Sequence, residues 1–126
     1  MWVSKTVAFS GLCSARSELV LVSKRMMRPF VTKRMHVHFA KGCQGLLGIE
    51  VWISTDDEAP SSGEPSGVNL LDDYGQVGRL VGDGQTKILE HSVDQREGGS
   101  FLKVRAVNND WYDHGVNVEV EIEVDS

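Results

Sequence analysis

Long apolar runs are missing from this sequence. None of its stretches approaches the roughly 20 residues that a membrane-spanning helix requires, so no such helix is expected. Helical periodicity is also missing, apart from one possible turn near Leu70 to Tyr74. Cysteine is limited to Cys13 and Cys43, which lack the paired spacing of a structural zinc site. Buried thiols are the expectation for them, with a disulfide between the two as the alternative. Proline is scarce, and two of the three prolines, Pro60 and Pro65, fall in one segment.

Catalytic signatures are absent too. There is no Gly-x-Ser-x-Gly, no activating context around either cysteine and no recognisable triad order. Gly82-Asp-Gly84 lacks the lysine and following helix of a phosphate loop. The chain is therefore expected not to be an enzyme and to carry no cofactor. At its start, Ser4, Lys5, Thr6 and Ser10 interrupt any apolar core of signal-peptide length, and Leu12 before Cys13 fits a lipoprotein cleavage site poorly. No signal peptide is expected.

What is present suits one globular domain spanning residues 1–126. The 40% apolar and 25% charged composition is ordinary for a soluble fold. The net charge of −5 hides an uneven distribution. Residues 1–41 hold eight bases and one acid, and the remainder holds five bases and seventeen acids. Either basic and acidic strands lie side by side and neutralise one another, or the molecule has oppositely charged faces that pack head to tail or dock on a polyanion. Nucleic acid is an unfavoured partner, because the total is acidic and no aromatics interleave Lys24, Arg25, Arg28, Lys33 and Arg34.

Periodicity of two recurs along the chain. Val3, Lys5, Val7 and Phe9 alternate with small residues in a first strand ending at Gly11. Glu18 to Ser23 reads as a short strand. In Val31 to Phe39, Val31, Met35, Val37 and Phe39 share a face on which Lys33 is out of place, while Thr32, Arg34, His36 and His38 share the other. Ile49, Val51 and Ile53 alternate with Glu50, Trp52 and Ser54. Weaker strands are expected over 77–81 and 86–93, then strands over 101–107 and 116–124. Gly42 to Gly45, Asp56 to Gly67 and Asn108 to Gly115 read as turns or loops. About eight short strands joined by Gly-rich turns indicate an all-β fold, an antiparallel β-sandwich of jelly-roll type.

The closing strand is the clearest element. Val116, Val118, Val120, Ile122 and Val124 face the core, and Asn117, Glu119, Glu121 and Glu123 face out. Pairing with 101–107 would set Lys103 and Arg105 beside those glutamates. On the register read from the sequence, Trp52 lies on the same outward face as His36 and His38. A tryptophan beside imidazoles suggests a contact surface, unless both faces of that strand are buried. Trp52, His36, His38, Glu119, Glu121 and Glu123 are thus the candidate self-association residues.

His36-Val-His38 invites comparison with the metal-binding pair of cupins, but Phe30 stands where that motif has glycine, and Gly42 and Cys43 stand where it has glutamate. Solvated or interface histidines are the expectation, with no metal site. Asp56-Asp-Glu58 and Asp72-Asp73 offer calcium-type oxygens without alternate EF-hand spacing. Asp110, Trp111, Tyr112, Asp113 and His114 place aromatic rings beside acceptors on a loop, a pattern suited to a sugar. The alternative is that Trp111 caps the sandwich while Asn108 to Asp113 satisfy the turn.

The stretch from Met35 to Ile53, together with Val107-Asn-Asn-Asp and His114 leading into the final valine ladder, resembles small jelly-roll proteins of phage and virus particles. The resemblance covers about half the chain. It implies a non-enzymatic virion component, a capsid decoration or spike protein, located in the virion or cytoplasm. The implied partners are copies of itself and other capsid proteins; a carbohydrate-binding module that takes a glycan is the alternative.

Overall fold

A computed structural model describes residues 2–60, 63–71, 79–95 and 99–125, with the backbone alone over 90–95. Eight strands follow one another: β1 Trp2–Cys13, β2 Glu18–Val22, β3 Phe30–Phe39, β4 Leu47–Ser54, β5 Val68–Asn69, β6 Gln85–Gln95, β7 Phe101–Asn108 and β8 His114–Asp125. They form two antiparallel four-stranded sheets. Sheet A has the order β1-β8-β3-β6 and sheet B the order β2-β7-β4-β5. Successive strands alternate largely between the sheets, which is the jelly-roll arrangement.

Alternation places the core. Val116, Val118, Val120 and Ile122 of β8 point inward, as do Met35, Val37 and Phe39 of β3 and Phe9 of β1. Opposite them stand Ile49, Val51 and Ile53 of β4 and Leu102, Val104 and Ala106 of β7. Each fully buried Val, Leu, Ile or Phe side chain contributes about 1.5–3 kcal/mol of transfer free energy, so the valine row of β8 anchors sheet A.

The misplaced lysine in β3 has a structural cause. The β3–β8 register shifts between Thr32 and Arg34, where Thr32 lies opposite Ile122 and Arg34 opposite Glu121. Lys33 is the extra residue of a bulge, which reverses the inward parity on its N-terminal side. Phe30 and Thr32 therefore enter the core and Val31 does not, contrary to the face read from the sequence.

Other expectations are revised, or fall partly outside the described residues. β8 pairs with β1 and β3 and not with β7, so Lys103 and Arg105 belong to the opposite sheet from Glu119, Glu121 and Glu123. The strand expected over 77–81 falls partly outside the described residues, and its described end supplies only an isolated bridge from Leu80 to Ile49. The two-residue β5, paired through Trp52 to Asn69 and Ile53 to Val68, was hidden by its length. The turn expected near Leu70 to Tyr74 runs beyond the described residues after Leu71.

Thr32 generates a direct test. It is buried, and among the described residues its hydroxyl has no hydrogen-bond partner. An unsatisfied buried hydroxyl costs on the order of 1–3 kcal/mol. Thr32→Val keeps the shape and removes that cost, so urea unfolding should show a gain of about 1 kcal/mol; a loss would place an unseen partner at the hydroxyl.

Candidate interaction surfaces

The outer faces of the two sheets are treated differently, and this decides what each can meet. At the centre of sheet B the outward residues Glu50, Trp52, Lys103 and Arg105 are buried. Trp52 is 6% exposed and Lys103 is 0% exposed. Trp52 is therefore neither on the face of His36 and His38 nor open to solvent; its strand is buried on both faces.

Charges under this cover are paired. Arg105 on β7 donates to Glu18 of β2 on one side and, through Nη1 at 3.0 Å, to Oε2 of Glu50 on β4 on the other. Arg79 reaches the same carboxylate with Nη2 at 2.9 Å, and the Trp52 indole donates to Oε1 at 3.0 Å. Gly48 makes room for this, since a Cβ there would lie 2.0 Å from the Arg79 side chain. Lys103 Nζ lies 2.8 Å from Asp56 Oδ1, and the Ser66 hydroxyl donates to the other Asp56 oxygen. The Gly63 amide donates to Glu18, so the segment expected as a surface loop folds back over sheet B. Sequence reasoning missed this network; the charged residues of β7, alternating with Leu102, Val104 and Ala106, were its only signal.

The electrostatics follow from these partners. Hydrogen bonding from Arg105 holds the Glu18 carboxyl below its ordinary range despite partial burial. Hydrogen bonds from Lys103 and then Ser66 hold Asp56 far below its own. Burial pulls Arg105 down, but its bonds to Glu18 and the charge of Glu50 outweigh that, leaving it raised. A carboxyl depressed in the folded state adds stability that is complete above its unfolded value and lost as pH falls through the acid range toward its folded value.

Sheet A leaves its outer face open. Glu119, Glu121 and Glu123 form one row on β8, and Arg34, His36 and His38 form the next on β3. Arg34 Nη1 and His36 Nε2 lie 3.5 and 3.4 Å from the Glu121 carboxylate, the latter without hydrogen-bond geometry. Lys33 reaches Glu123 at 3.9 Å, and His38 lies 3.9 Å from Glu119. The His38 ring shares a 2.8 Å hydrogen bond with Thr86 of β6. Basic and acidic segments are thus neighbours on this face.

One end of the sandwich carries the remaining candidates. Asn108 donates from Nδ2 to the carbonyls of Cys13, Ser14 and Tyr112, and Asp113 accepts from the Ala15 amide. Asp110 Oδ2 lies 2.8 Å from His114 Nε2, and this contact holds Asp110 below its ordinary range. Asn108 to Asp113 do satisfy the turn, but Trp111 does not cap the core: it is 77% exposed and Tyr112 is 74% exposed. The Arg16 guanidinium sits 4.9 Å from the Trp111 ring centre, a cation–π distance.

His114 Nδ1 faces the Cys43 sulfur at 3.7 Å, so Cys43, His114 and Asp110 line up as thiol, imidazole and carboxylate. Sequence order gave no hint of it. The chemistry of a nucleophile does not follow, because Cys43 is fully buried and that burial pushes its thiol up; a protonated thiol is not nucleophilic. Cys13 is likewise a buried free thiol raised by burial. Among the described residues no group of three or more His, Cys, Asp or Glu could hold a metal ion. Asp56 is committed to Lys103, and Asp72 and Asp73 lie outside the described residues.

No protein-family model matches the sequence, and no curated protein matches it. Solved structures do share the fold. A protein of the Bacillus endospore appendages, described as disulfide-linked pili, is 12% identical over 98% of this chain and 87% of its own, with a TM-score of 0.55. A chain of broad bean stain virus is 11% identical over 100% of this chain and 86% of its own, with a TM-score of 0.49. A carbohydrate-binding module in complex with β-1,4-galactotriose is 10% identical over 98% of this chain and 88% of its own, with a TM-score of 0.44. At 12% identity the likeness to the appendage protein concerns the fold alone.

The Lys103 pair generates an ordering of variants. Asp56→Asn strands a buried ammonium, whereas Lys103→Met replaces it with an apolar chain of similar length. Chemical denaturation should find Asp56→Asn clearly destabilised and Lys103→Met close to the parent. The reverse order would mean that the lysine charge itself is needed.

Proposed function

We propose that the chain is a non-enzymatic structural protein that assembles by self-association through the outer face of sheet A, in the manner of a capsid decoration or spike component. The observation that carries this reading is the unequal cover of the two sheets. Sheet B closes its charges under its own loop, and sheet A presents a row of glutamates beside a row of Arg34, His36 and His38 on its outer face. Such a face is self-complementary. A twofold axis between the rows sets the β8 glutamates of one copy over Arg34, His36 and His38 of the other, the isologous contact of a dimer. Ile88, 58% exposed beside His36, adds an apolar element. Fold likeness alone assigns no function; the support is the exposed ladder.

Light scattering across a concentration series tests it. The parent should dimerise or assemble further. The pair Glu119→Lys and Glu121→Lys opposes like charges and should weaken association by at least about tenfold. A parent that stays monomeric at millimolar concentration, or an unaffected variant, would end this reading.

A second reading rests on Trp111 and Tyr112, two adjacent aromatic side chains largely open to solvent at the loop end. Flat rings of this kind stack on sugar faces, and they would make the chain a glycan-binding module. A glycan array should then give hits that Trp111→Ala removes, and no hits would leave the assembly reading alone. Asp110, Asp113 and His114 contribute to that site only by holding the loop, since each is engaged within the fold.

A further inference from the structure

The β1 strand is an edge with little protection. It runs for twelve residues, pairs along its whole length with β8 on one side and, among the described residues, has no neighbouring strand in sheet A on the other. Natural edges of this length are usually blunted by prolines, bulges, several charges or a covering loop. β1 has no proline, keeps an unbroken register and carries a single charged residue, Lys5. In its C-terminal half Gly11 packs across the core against Leu19 and Leu21 of β2, and the N-terminal half runs beside a groove.

A groove of about 300 Å³ opens at that half. Val7, Met26, Ile122 and Val124 supply apolar walls, and the chain from Arg25 to Arg28 borders it opposite the β1 edge. Three of its lining residues, Lys5, Arg25 and Arg28, are cationic and none is acidic. Among the described residues none of the three makes an ion pair. An unpaired edge supplies backbone donors and acceptors, the groove supplies apolar contact, and the cations select the charge of what enters.

We propose that the N-terminal half of β1 and this groove form a docking site for an extended, acid-bearing segment of a partner protein, which adds to sheet A as a fifth strand. Backbone hydrogen bonds to the β1 edge give affinity, and alternate side chains read the groove. Apolar residues of the segment meet Met26, Val7 and Val124, and its carboxylates meet Lys5, Arg25 and Arg28. Because this surface is an edge and not the outer face, it stands apart from the self-association site, and either can fail without the other.

The test uses fluorescence anisotropy with a labelled, terminally blocked peptide whose alternate residues are threonine, with valine and glutamate taking turns between them. One face of the strand then presents valine and glutamate, and the other only threonine. The expected result is saturable binding to the full chain, with NMR amide shifts confined to Trp2 through Val7 and to the groove residues Arg25 to Arg28, Ile122 and Val124. Replacing glutamate by lysine in the peptide should weaken binding at least about tenfold, as should Lys5→Glu with Arg28→Glu in the protein at unchanged thermal stability. A central proline in the peptide should abolish it. No saturable binding at millimolar peptide, equal affinity for the acidic and basic peptides, or indifference to the Lys5 and Arg28 changes would each overturn the proposal. Self-association by light scattering is read separately, with Glu119 and Glu121 as its variants.

Discussion

Burial of charge on one side of sheet B is the constraint on which the rest of the structure depends. A two-sheet sandwich needs only its inner faces dry, yet here Glu50, Lys103 and Arg105 on the outer face of sheet B are also removed from water. Desolvating such groups is costly unless each meets an opposite charge with good geometry. Glu18, Asp56 and Arg79 are the partners that make it tolerable, and they arrive from β2, from the segment after β4 and from the chain ahead of β6. That requirement brings Asp56, Gly63 and Ser66 back onto the sheet, while sheet A keeps its outer face open.

Much of the fold was legible because it depends on period-two patterning. The valine ladder of β8 gave its inward face correctly, and so did the alternation of Ile49, Val51 and Ile53 in β4. What could not be read is which strands become neighbours. Lys103 and Arg105 looked like natural partners for the β8 glutamates by sign, but pairing in a jelly roll is set by chain crossing between sheets, which charge does not encode. The parity change at Lys33 is a second example: a single out-of-place lysine marked a bulge, and reading it as an exception instead of a phase shift cost Phe30 and Thr32 their place in the core.

The candidate sites divide along the same line. His36, His38, Glu119, Glu121 and Glu123 do gather on one face, because residues two apart on neighbouring strands must. Trp52 does not join them, since its indole is bound to Glu50 beneath the cover of the other sheet. The loop from Asp110 to His114 splits by residue. Its acids and imidazole hold the turn, and its two aromatic rings stay in water. The approach of Cys43 to His114 depended on a contact between residues far apart in sequence, and nothing local announced it.

The proposed self-association places its contacts on the outer face of sheet A. Two-dimensional NMR of labelled protein on serial dilution measures this most directly. Concentration-dependent shifts confined to residues on the outer face of β1, β3 and β8, with His36, His38 and Glu119 to Glu123 among the largest, are the predicted result. Shifts centred on β2 and β4, on Trp111 and Tyr112, or nowhere at all up to millimolar concentration, would contradict it.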